Sequence, residues 1–427
     1  MTDTRSAIDV PVDQAALLER LADTRNLTEQ LAAPLAAEDQ VVQSMPDVSP
    51  TKWHRAHTTW FFETFVLGPY APGYEPVHPA YDYLFNSYYE QVGPRHPRSE
   101  RGLVSRPTVA EVGDYRAAVD ERLGAFLSDA RPDTWATVAP LVELGINHEQ
   151  QHQELLLMDI KHVLSRNPLR PAYMPERRST PVGSGSRPAW IEVDPGGVVE
   201  IGHDGRGFAF DSEGPRHRTY LEPFRIADRL VTCGEWAAFI ADGGYERAEL
   251  WLSDGWATVG QQGWTGPLYW EDGGVFTLRG QQAVDPSTPV CHVSFFEADA
   301  FATWAGARLP TEAEWEVAVD RLAPADSPND LRTRALHPRA APDGTGLEQT
   351  AGDVWEWTAS PYRPYPGFRP EAGAIGEYNG KFMCNQMVLR GGACVTPAGH
   401  VRPTYRNFFP PSSRWAFSGL RLAADGD

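Results

Sequence analysis

Cysteine and positive charge are both scarce in this chain of 427 residues. It has four cysteines and no CxxC spacing, so a reduced chain with free thiols is the simplest interpretation. Its 38 lysines and arginines are outnumbered by 57 acidic residues, which gives a net charge of −19. Nucleic acids and anionic membranes attract basic surfaces, so neither is expected to be the main partner.

Long apolar runs are also missing. No stretch reaches the roughly 18 consecutive apolar residues that a membrane-spanning helix requires. Residues 1–14 are polar and include acids, unlike the apolar centre of a secretory signal. With 41% hydrophobic and 22% charged residues, the composition is typical of globular proteins, and a cytoplasmic location is expected.

The apolar pattern divides the chain near residue 180. Before that point, apolar residues recur every three or four positions, which predicts helices around residues 17–26, 53–67, 109–127 and 137–164. We interpret residues 1–178 as a four-helix bundle. The segment 68–106, rich in proline, tyrosine and arginine, is predicted to be a long functional loop.

The second half has a different pattern. The segment 176–188 (ERRSTPVGSGSRP) is predicted to be a linker, and short strand-like runs with many glycines and prolines follow it. Residues 188–427 therefore predict a second domain, and the whole chain an α+β fold of two domains. Two short helices are expected in it, at 294–304 and from Thr311, where Glu314 completes the spacing of a capping box.

A pair of histidines stands out in the fourth predicted helix. His148 and His152, in the run HEQQH, are four residues apart, so both imidazoles lie on one helix face, about one turn apart. Two imidazoles seldom hold a metal alone, so a third ligand is expected from another helix. His54 and His57, in the apolar second helix, are the candidates. Three neutral imidazoles would leave open positions on a divalent metal, which suits catalysis.

The same run also matches the HExxH pattern of zinc proteases, in which Glu149 would be the general base. The longer metzincin pattern fails, because Leu155 and Met158 stand where glycine and histidine are required. Spacing does not separate zinc from iron, because imidazole binds both. A zinc hydrolase therefore stays open as an alternative, as does a set of core histidines that bind no metal.

Several segments of the chain resemble a known enzyme family, the ergothioneine sulfoxide synthases. In the first half, the resemblance to the DinB-like bundle of that family rests on 53–60 (WHRAHTTW), 86–89 (NSYY) and 148–154 (HEQQHQE). The second half resembles formylglycine-generating-enzyme domains, which have a C-type-lectin-like fold, in 306–316 (GARLPTEAEWE), 352–357 (GDVWEW), 389–392 (LRGG) and 419–422 (GLRL). Together the two halves cover about residues 15–425, and their pairing is more specific than either half alone.

This resemblance implies an Fe(II) enzyme that uses dioxygen to join the sulfur of a thiol to C2 of hercynine, a trimethylated histidine, as a sulfoxide. It implies His57, rather than His54, as the metal ligand that joins His148 and His152. Tyr89, or its neighbour Tyr88, would then act as the proton donor. The γ-glutamylcysteine-using branch takes its tyrosine from the second domain, in the region of Tyr378.

The resemblance also implies residues that contact hercynine. Gln151 would hydrogen-bond the substrate imidazole, and Asn407 would contact the carboxylate or ammonium side. A quaternary ammonium prefers aromatic faces, which Phe408 or Trp415 would provide.

For the thiol substrate, Arg98 and Arg101 match the arginines that hold its carboxylate in the family, since a guanidinium pairs with a carboxylate through two parallel hydrogen bonds. The γ-glutamylcysteine branch has Asn-Trp-Asp where this chain has Asn407, Phe408 and Phe409, so the acid that holds the substrate amine is missing. We therefore expect free cysteine to be the thiol.

Other enzymes and partners follow from the same resemblance. An ovothiol-type 5-histidylcysteine sulfoxide synthase or a selenoneine-type enzyme would share the iron site, and a non-catalytic lectin-like binding protein is a further alternative. A formylglycine-generating enzyme needs two closely spaced catalytic cysteines, whereas Cys384 and Cys394 are ten residues apart. A histidine methyltransferase and a PLP-dependent C–S lyase are the expected neighbours in the pathway.

Overall fold

A computed structural model of the chain describes residues 13–174, 188–271, 273–322, 328–342, 346–370 and 372–426. They form two compact units. The first contains the described part of Met1–Val163, with Gly205–Phe208 and Ala372–Glu377, and the rest belongs to the second. Helices dominate the first unit and short strands the second, which confirms the predicted α+β fold. The boundaries 1–178 and 188–427 stay predictions, and most of the predicted linker 176–188 lies outside the described residues.

The helices that begin in the first unit include the four long ones predicted from the apolar pattern. The four predicted helices correspond to α1, α2, α5 and α6. The full set is α1 (Gln14–Ala32), α2 (Thr51–Phe62), α3 (Gly68–Tyr70), α4 (Tyr81–Phe85), α5 (Val109–Ser128) and α6 (Pro132–Arg166). In the described parts of the chain, no helix is long and apolar enough to cross a membrane.

Two predicted helix boundaries and one predicted loop were wrong. Helix α2 does not run unchanged to residue 67, because the chain widens into a π-helix at Glu63–Leu67. Helix α6 begins at Pro132 instead of residue 137, since proline suits a first turn whose N–H groups need no helical partner. The segment 68–106 is not a simple loop, because it contains α3, α4 and a 3-10 helix at Arg98–Leu103.

Helix α2 is the centre of the first unit. All of its residues are buried, which is typical of a helix surrounded by other elements on every side. Helix α6 approaches it closely at Gly145, where an added Cβ would lie 2.4 Å from the ring of Phe62. This glycine therefore permits the close contact of the two helices that carry the histidines of interest.

Among its described residues, the second unit contains twelve short strands and four α-helices that begin in it. The helices are α7 (Cys233–Ala241), α8 (Ser253–Gln262), α9 (Phe295–Trp304) and α10 (Glu312–Leu322). The strands are β1 (Trp190–Val193), β2 (Gly197–Ile201), β3 (His217–Leu221), β4 (Phe224–Ala227), β5 (Trp270–Glu271), β6 (Gly274–Thr277), β7 (Gly280–Ala283), β8 (Trp355–Pro361), β9 (Met387–Arg390), β10 (Asn407–Phe409), β11 (Ser418–Gly419) and β12 (Ala423–Asp425).

These strands form small sheets rather than one large one. The orders are β1-β4-β12, β10-β9-β8-β11, β2-β3 and β5-β6-β7, and β11 pairs with β8 in parallel while the other pairs are antiparallel. Helix α10 packs the buried Trp315 into an apolar cluster with strands β1 to β4. Its predicted capping box is confirmed, because the Glu314 N–H donates to Thr311 Oγ1 at 3.2 Å and the Thr311 N–H donates to Glu314 Oε2 at 2.7 Å.

Candidate metal centre

Three histidines from α2 and α6 meet in the first unit. Ligand-capable atoms of His57, His148 and His152 all lie within 4.8 Å of one another. The Nε2 atoms of His57 and His148 are 3.2 Å apart, a separation that two metal–nitrogen bonds of about 2.0–2.1 Å can span. The structure thus brings together the three residues predicted as ligands, in an arrangement that fits a divalent ion.

The ring of His57 is held on three sides. Its Nδ1 lies 2.6 Å from the carbonyl oxygen of Phe85, which can only accept, so Nδ1 carries the hydrogen and Nε2 keeps a free lone pair. Trp53 stacks on the imidazole with ring centroids 4.6 Å apart, and Trp60 does so at 5.5 Å. The Nε2 atom of His57 therefore points at His148 in a fixed orientation.

All three imidazoles are neutral at ordinary pH. Burial, followed by the neighbouring histidines, lowers the pKa of His57 and of His152 well below the ordinary value. Burial lowers the pKa of His148 to about 3, although the adjacent Glu149 carboxylate opposes this shift. Neutral imidazoles expose the lone pairs that a metal needs, so the low pKa values favour metal binding over protonation.

Glu149 follows His148 in the chain but takes no part in the histidine cluster. Its buried carboxylate accepts hydrogen bonds from Arg25 Nη1 at 2.8 Å and Thr28 Oγ1 at 2.5 Å, and it also pairs with Arg116. Burial alone would raise the pKa of Glu149, but Arg116, Arg25 and the Thr28 hydroxyl lower it to about 2. A carboxylate held in this way is a poor general base, which disfavours the zinc-hydrolase alternative.

His54 was set aside in favour of His57, yet it also borders the cluster. Its Nδ1 lies 2.9 Å from Nδ1 of His152, and its Nε2 lies 3.0 Å from Oδ2 of Asp159. Asp159 was missed by the sequence analysis. The only signal for it was its position seven residues, or two turns, after His152 on the same helix.

The two candidate tyrosines lie beside the aromatic part of the cluster. Tyr89 is fully buried, and its ring centroid lies 5.7 Å from that of Trp60, which itself stacks on His57. Tyr88 is half-buried and stacks on Tyr89 at 4.6 Å. Asn86 fixes this segment, because its Oδ1 accepts from the Tyr89 N–H at 3.0 Å and its Nδ2 donates to the Tyr89 carbonyl at 2.9 Å.

A carboxylate that the sequence analysis missed also holds the tyrosine segment. Glu377, from the Ala372–Glu377 part of the same unit, accepts hydrogen bonds from the backbone N–H groups of Glu90 and Gln91 at 3.0 and 2.9 Å. Nothing in the local pattern around Glu377 signals this contact, which joins residues nearly 290 positions apart.

Arg101 is a buried cation with no carboxylate within ion-pair distance in the described part of the chain, although the more distant Asp159 carboxylate partly offsets the effect of burial on its pKa. Its guanidinium carbon lies 3.3 Å from the centre of the Trp53 ring, and Nη1 donates to Ser49 Oγ at 2.9 Å. Its buried Nε has no hydrogen-bond partner among the described residues. Burial lowers the pKa of Arg101 well below its ordinary value, and Arg98 lowers it further. Such a group favours an incoming anion.

The other predicted contact residues are spread over both units. In the first unit, Gln151 is half-buried on α6, and Arg98 is exposed and donates to the Asp47 carbonyl at 2.5 Å. In the second unit, Asn407 lies on β10, Phe408 stacks on Tyr362 at 4.2 Å, and Trp415 is buried against Phe409. Tyr378 is buried and stacks on Phe210 at 5.4 Å.

The comparisons with known proteins match both halves of the chain. The DinB superfamily matches residues 20–156, and the sulfatase-modifying factor enzyme 1-like domain matches residues 181–426. Hercynine oxygenase from Mycolicibacterium thermoresistibile is 34% identical, with 97% of this chain and 96% of that protein aligned. The enzyme of the same name from Mycolicibacterium smegmatis is also 34% identical, with 95% and 99% aligned.

A partial relative matches the second half. The formylglycine-generating enzyme of Streptomyces coelicolor is 31% identical over 55% of this chain and 88% of its own length. A DinB-type helical unit joined to this second type of domain marks the chain as an oxidoreductase built from two fused modules. The full-length similarity is more specific, and the chain belongs to the hercynine oxygenase family, the ergothioneine sulfoxide synthases that its motifs resemble.

Replacing Glu149 tests whether its carboxylate holds the helices of the first unit together. In Glu149→Ala, two buried guanidinium groups lose their shared carboxylate, so we expect a loss of about 3–5 kcal/mol in the free energy of unfolding. The Glu149 contribution should be complete above pH 5 and fall as the pH approaches the folded pKa of about 2, because the unfolded chain then binds more protons. Urea unfolding at several pH values measures both effects.

The control for this experiment is Glu143→Ala, which removes a more exposed ion pair of the same helix with Arg20. It should change stability by at most about 1 kcal/mol. Equal stability of Glu149→Ala and the unaltered chain would show that the buried ionic cluster does not hold the helices.

Proposed function

We propose that this chain is an Fe(II)-dependent sulfoxide synthase that joins the sulfur of cysteine to C2 of the hercynine imidazole. One dioxygen provides the sulfoxide oxygen, and its other atom leaves as water with the hydrogens of the thiol and of C2. The cluster of His57, His148 and His152 is the observation that carries this proposal. Relatives named hercynine oxygenase support hercynine and dioxygen as substrates.

The three histidines are assigned as the metal ligands. They are neutral, they come from two helices, and three protein ligands would leave further coordination positions of a divalent metal open, as expected for a catalytic rather than a structural site. Fe(II), when bound, supplies electrons for dioxygen and lowers the pKa of a coordinated thiol. Imidazole also binds zinc, so iron is inferred from the family and not from the ligand set alone.

Arg101 is assigned to the carboxylate of the thiol substrate. The guanidinium is desolvated, forms no direct ion pair among the described residues, and packs on Trp53, which stacks on the proposed ligand His57. A carboxylate bound to Arg101 would be separated from the proposed ligand His57 by the Trp53 ring. Arg98 is exposed and lowers the pKa of Arg101, so it adds positive charge near this subsite.

Cysteine is favoured over γ-glutamylcysteine because of Phe409. An apolar side chain at this position of β10 provides no charge for the amine of a γ-glutamyl group. Gln151 is assigned to the hercynine imidazole, and Asn407, Phe408 and Trp415 are assigned to its carboxylate and quaternary ammonium.

Tyr89 is assigned as the proton donor, with Tyr88 as the alternative. The Asn86 side chain and the Trp60 ring fix the Tyr89 backbone and ring, so the hydroxyl is presented in one orientation. A proton delivered at the right moment directs oxygen toward carbon–sulfur bond formation instead of thiol oxidation.

The setting of the enzyme is a proposal as well. All four cysteines are free, as expected for a cytoplasmic protein. A histidine methyltransferase would supply hercynine, and a PLP-dependent C–S lyase would cleave the product.

A competition assay tests the proposed reaction. The iron-loaded chain receives hercynine, dioxygen and equal amounts of cysteine and γ-glutamylcysteine, and mass spectrometry identifies the products. We expect the cysteine sulfoxide adduct of hercynine to dominate, and His148→Ala to bind no iron and form no product. Cys384→Ser, which removes the exposed thiol of the chain, should leave the yield unchanged.

Two results would contradict the proposal. In a parallel assay with histidine in place of hercynine, a faster reaction with histidine would indicate an ovothiol-type enzyme. Full metal loading without any sulfoxide from either thiol would reject the sulfoxide synthase itself.

Tyr89→Phe tests the proton donor. Loss of a general acid is expected to slow sulfoxide formation by about 100-fold or more while the thiol is oxidised instead, and the iron content should stay unchanged. Oxygen consumption and sulfoxide yield are measured in parallel. Tyr88→Phe is the matched control. If thiol oxidation replaced sulfoxide formation only in Tyr88→Phe, Tyr88 would be the proton donor.

Arg101→Met tests the carboxylate subsite. Loss of a charge-assisted hydrogen bond should raise the KM for cysteine by roughly 10–100-fold, equivalent to about 1.5–3 kcal/mol. Cysteamine, which lacks the carboxylate, should react equally with the variant and the unaltered chain. If kcat/KM falls equally for both thiols, Arg101 supports Trp53 and does not bind the substrate.

A further inference from the structure

A series of buried, hydrogen-bonded polar groups begins at His152, one of the proposed metal ligands. His152 Nδ1 lies 2.9 Å from His54 Nδ1, and His54 Nε2 lies 3.0 Å from Asp159 Oδ2. The same Asp159 oxygen accepts the Ser49 N–H at 2.7 Å. His54 and Asp159 are buried, with 2% and 3% of their surface exposed, so water does not compete for these contacts.

The hydrogens along this series have one consistent arrangement when both histidines are neutral. A carboxylate only accepts, so the hydrogen between His54 and Asp159 lies on His54 Nε2. The Nδ1 of His54 is then bare and accepts, so His152 must carry its hydrogen on Nδ1. The Nε2 of His152 is therefore left with its lone pair free.

His57 uses the same principle with a different acceptor. Its Nδ1 donates to the Phe85 carbonyl, which frees its Nε2. Histidine ligands of metals are commonly oriented through the ring nitrogen that does not bind the metal. The contacts of His152 thus have the pattern expected around a ligand, although they run through a second imidazole.

We propose that His54 and Asp159 are positioning residues that fix the tautomer and the ring orientation of His152 at the metal centre. The inference rests on the proposed metal site and adds two residues that bind neither the metal nor a substrate. His54 lies one turn before His57 on α2, while Asp159 lies two turns after His152 on α6. The hydrogen bonds between His152, His54 and Asp159 therefore also connect the two helices that carry the proposed ligands.

The test compares a disruptive and a conservative variant at each position. His54→Phe removes the acceptor for His152, and His54→Gln offers an amide oxygen in its place. Asp159→Ala removes the acceptor for His54, and Asp159→Asn keeps an oxygen there. The dissociation constant for Co(II) is measured by competition with a chelator on the full chain prepared without metal.

We expect His54→Phe and Asp159→Ala to bind Co(II) about 10–100-fold more weakly, with most of the affinity regained in His54→Gln and Asp159→Asn. Because the residues act in series, His54→Phe combined with Asp159→Ala should be little worse than either alone. His162→Gln is the matched control, since His162 lies on α6 and contacts Ser44 Oγ at 2.6 Å.

A second readout separates positioning from folding. In metal-free protein with isotope-labelled histidine, NMR should show the His152 hydrogen on Nδ1, and Asp159→Asn should preserve this state. A His152 hydrogen on Nε2 in the unaltered chain would overturn the proposal, as would unchanged Co(II) affinity in both disruptive variants. If the unaltered chain binds no Co(II), the proposed metal site fails first, whereas the NMR result still decides the tautomer.

Discussion

The carboxylate of Glu149 fixes the rotation of helix α6, and the position of the face that carries His148 and His152 depends on that rotation. Glu149 and Gln153, one turn apart, both bind α1, through Thr28 and through the Thr24 carbonyl at 2.8 Å. Successive residues of a helix differ by about 100° in direction, so His148 and His152 face a different neighbour. That neighbour is α2, where they meet His57.

Helix α2 shows what a buried functional helix requires. A helix enclosed on all sides would ordinarily be apolar, yet α2 also contains Lys52, His54, Arg55 and His57. Their polar atoms have partners: Lys52 donates to the Pro107 carbonyl at 2.9 Å, and Arg55 donates to Glu29 at 2.9 Å. Unpaired, each would cost a few kcal/mol in folding free energy. The surroundings of α2 are therefore organised around its polar side chains.

Local sequence patterns predicted the histidines of this site better than the residues that hold those histidines in place. The spacing of His148 and His152 and the four long helices follow from short-range periodicity, and the choice of His57 came from the family resemblance. The Phe85 carbonyl, Asp159 and the Arg25–Glu149 pair could not be predicted, because they depend on contacts across 28 to 124 residues. Glu149 shows that a short motif can suggest the wrong role, since HExxH indicated a general base whereas the contacts of Glu149 are ion pairs with Arg25 and Arg116.

The net charge of the chain strengthens the assignment of Arg101 to a substrate carboxylate. A protein with a net charge of −19 offers no long-range attraction for a carboxylate group, and such fields fade within about 8 Å at physiological salt. Selection of the substrate carboxylate that we propose must therefore come from a local group. A desolvated guanidinium interacts strongly with an anion at contact distance, because little water screens the pair. The acidic surface thus leaves substrate recognition to contacts inside the site.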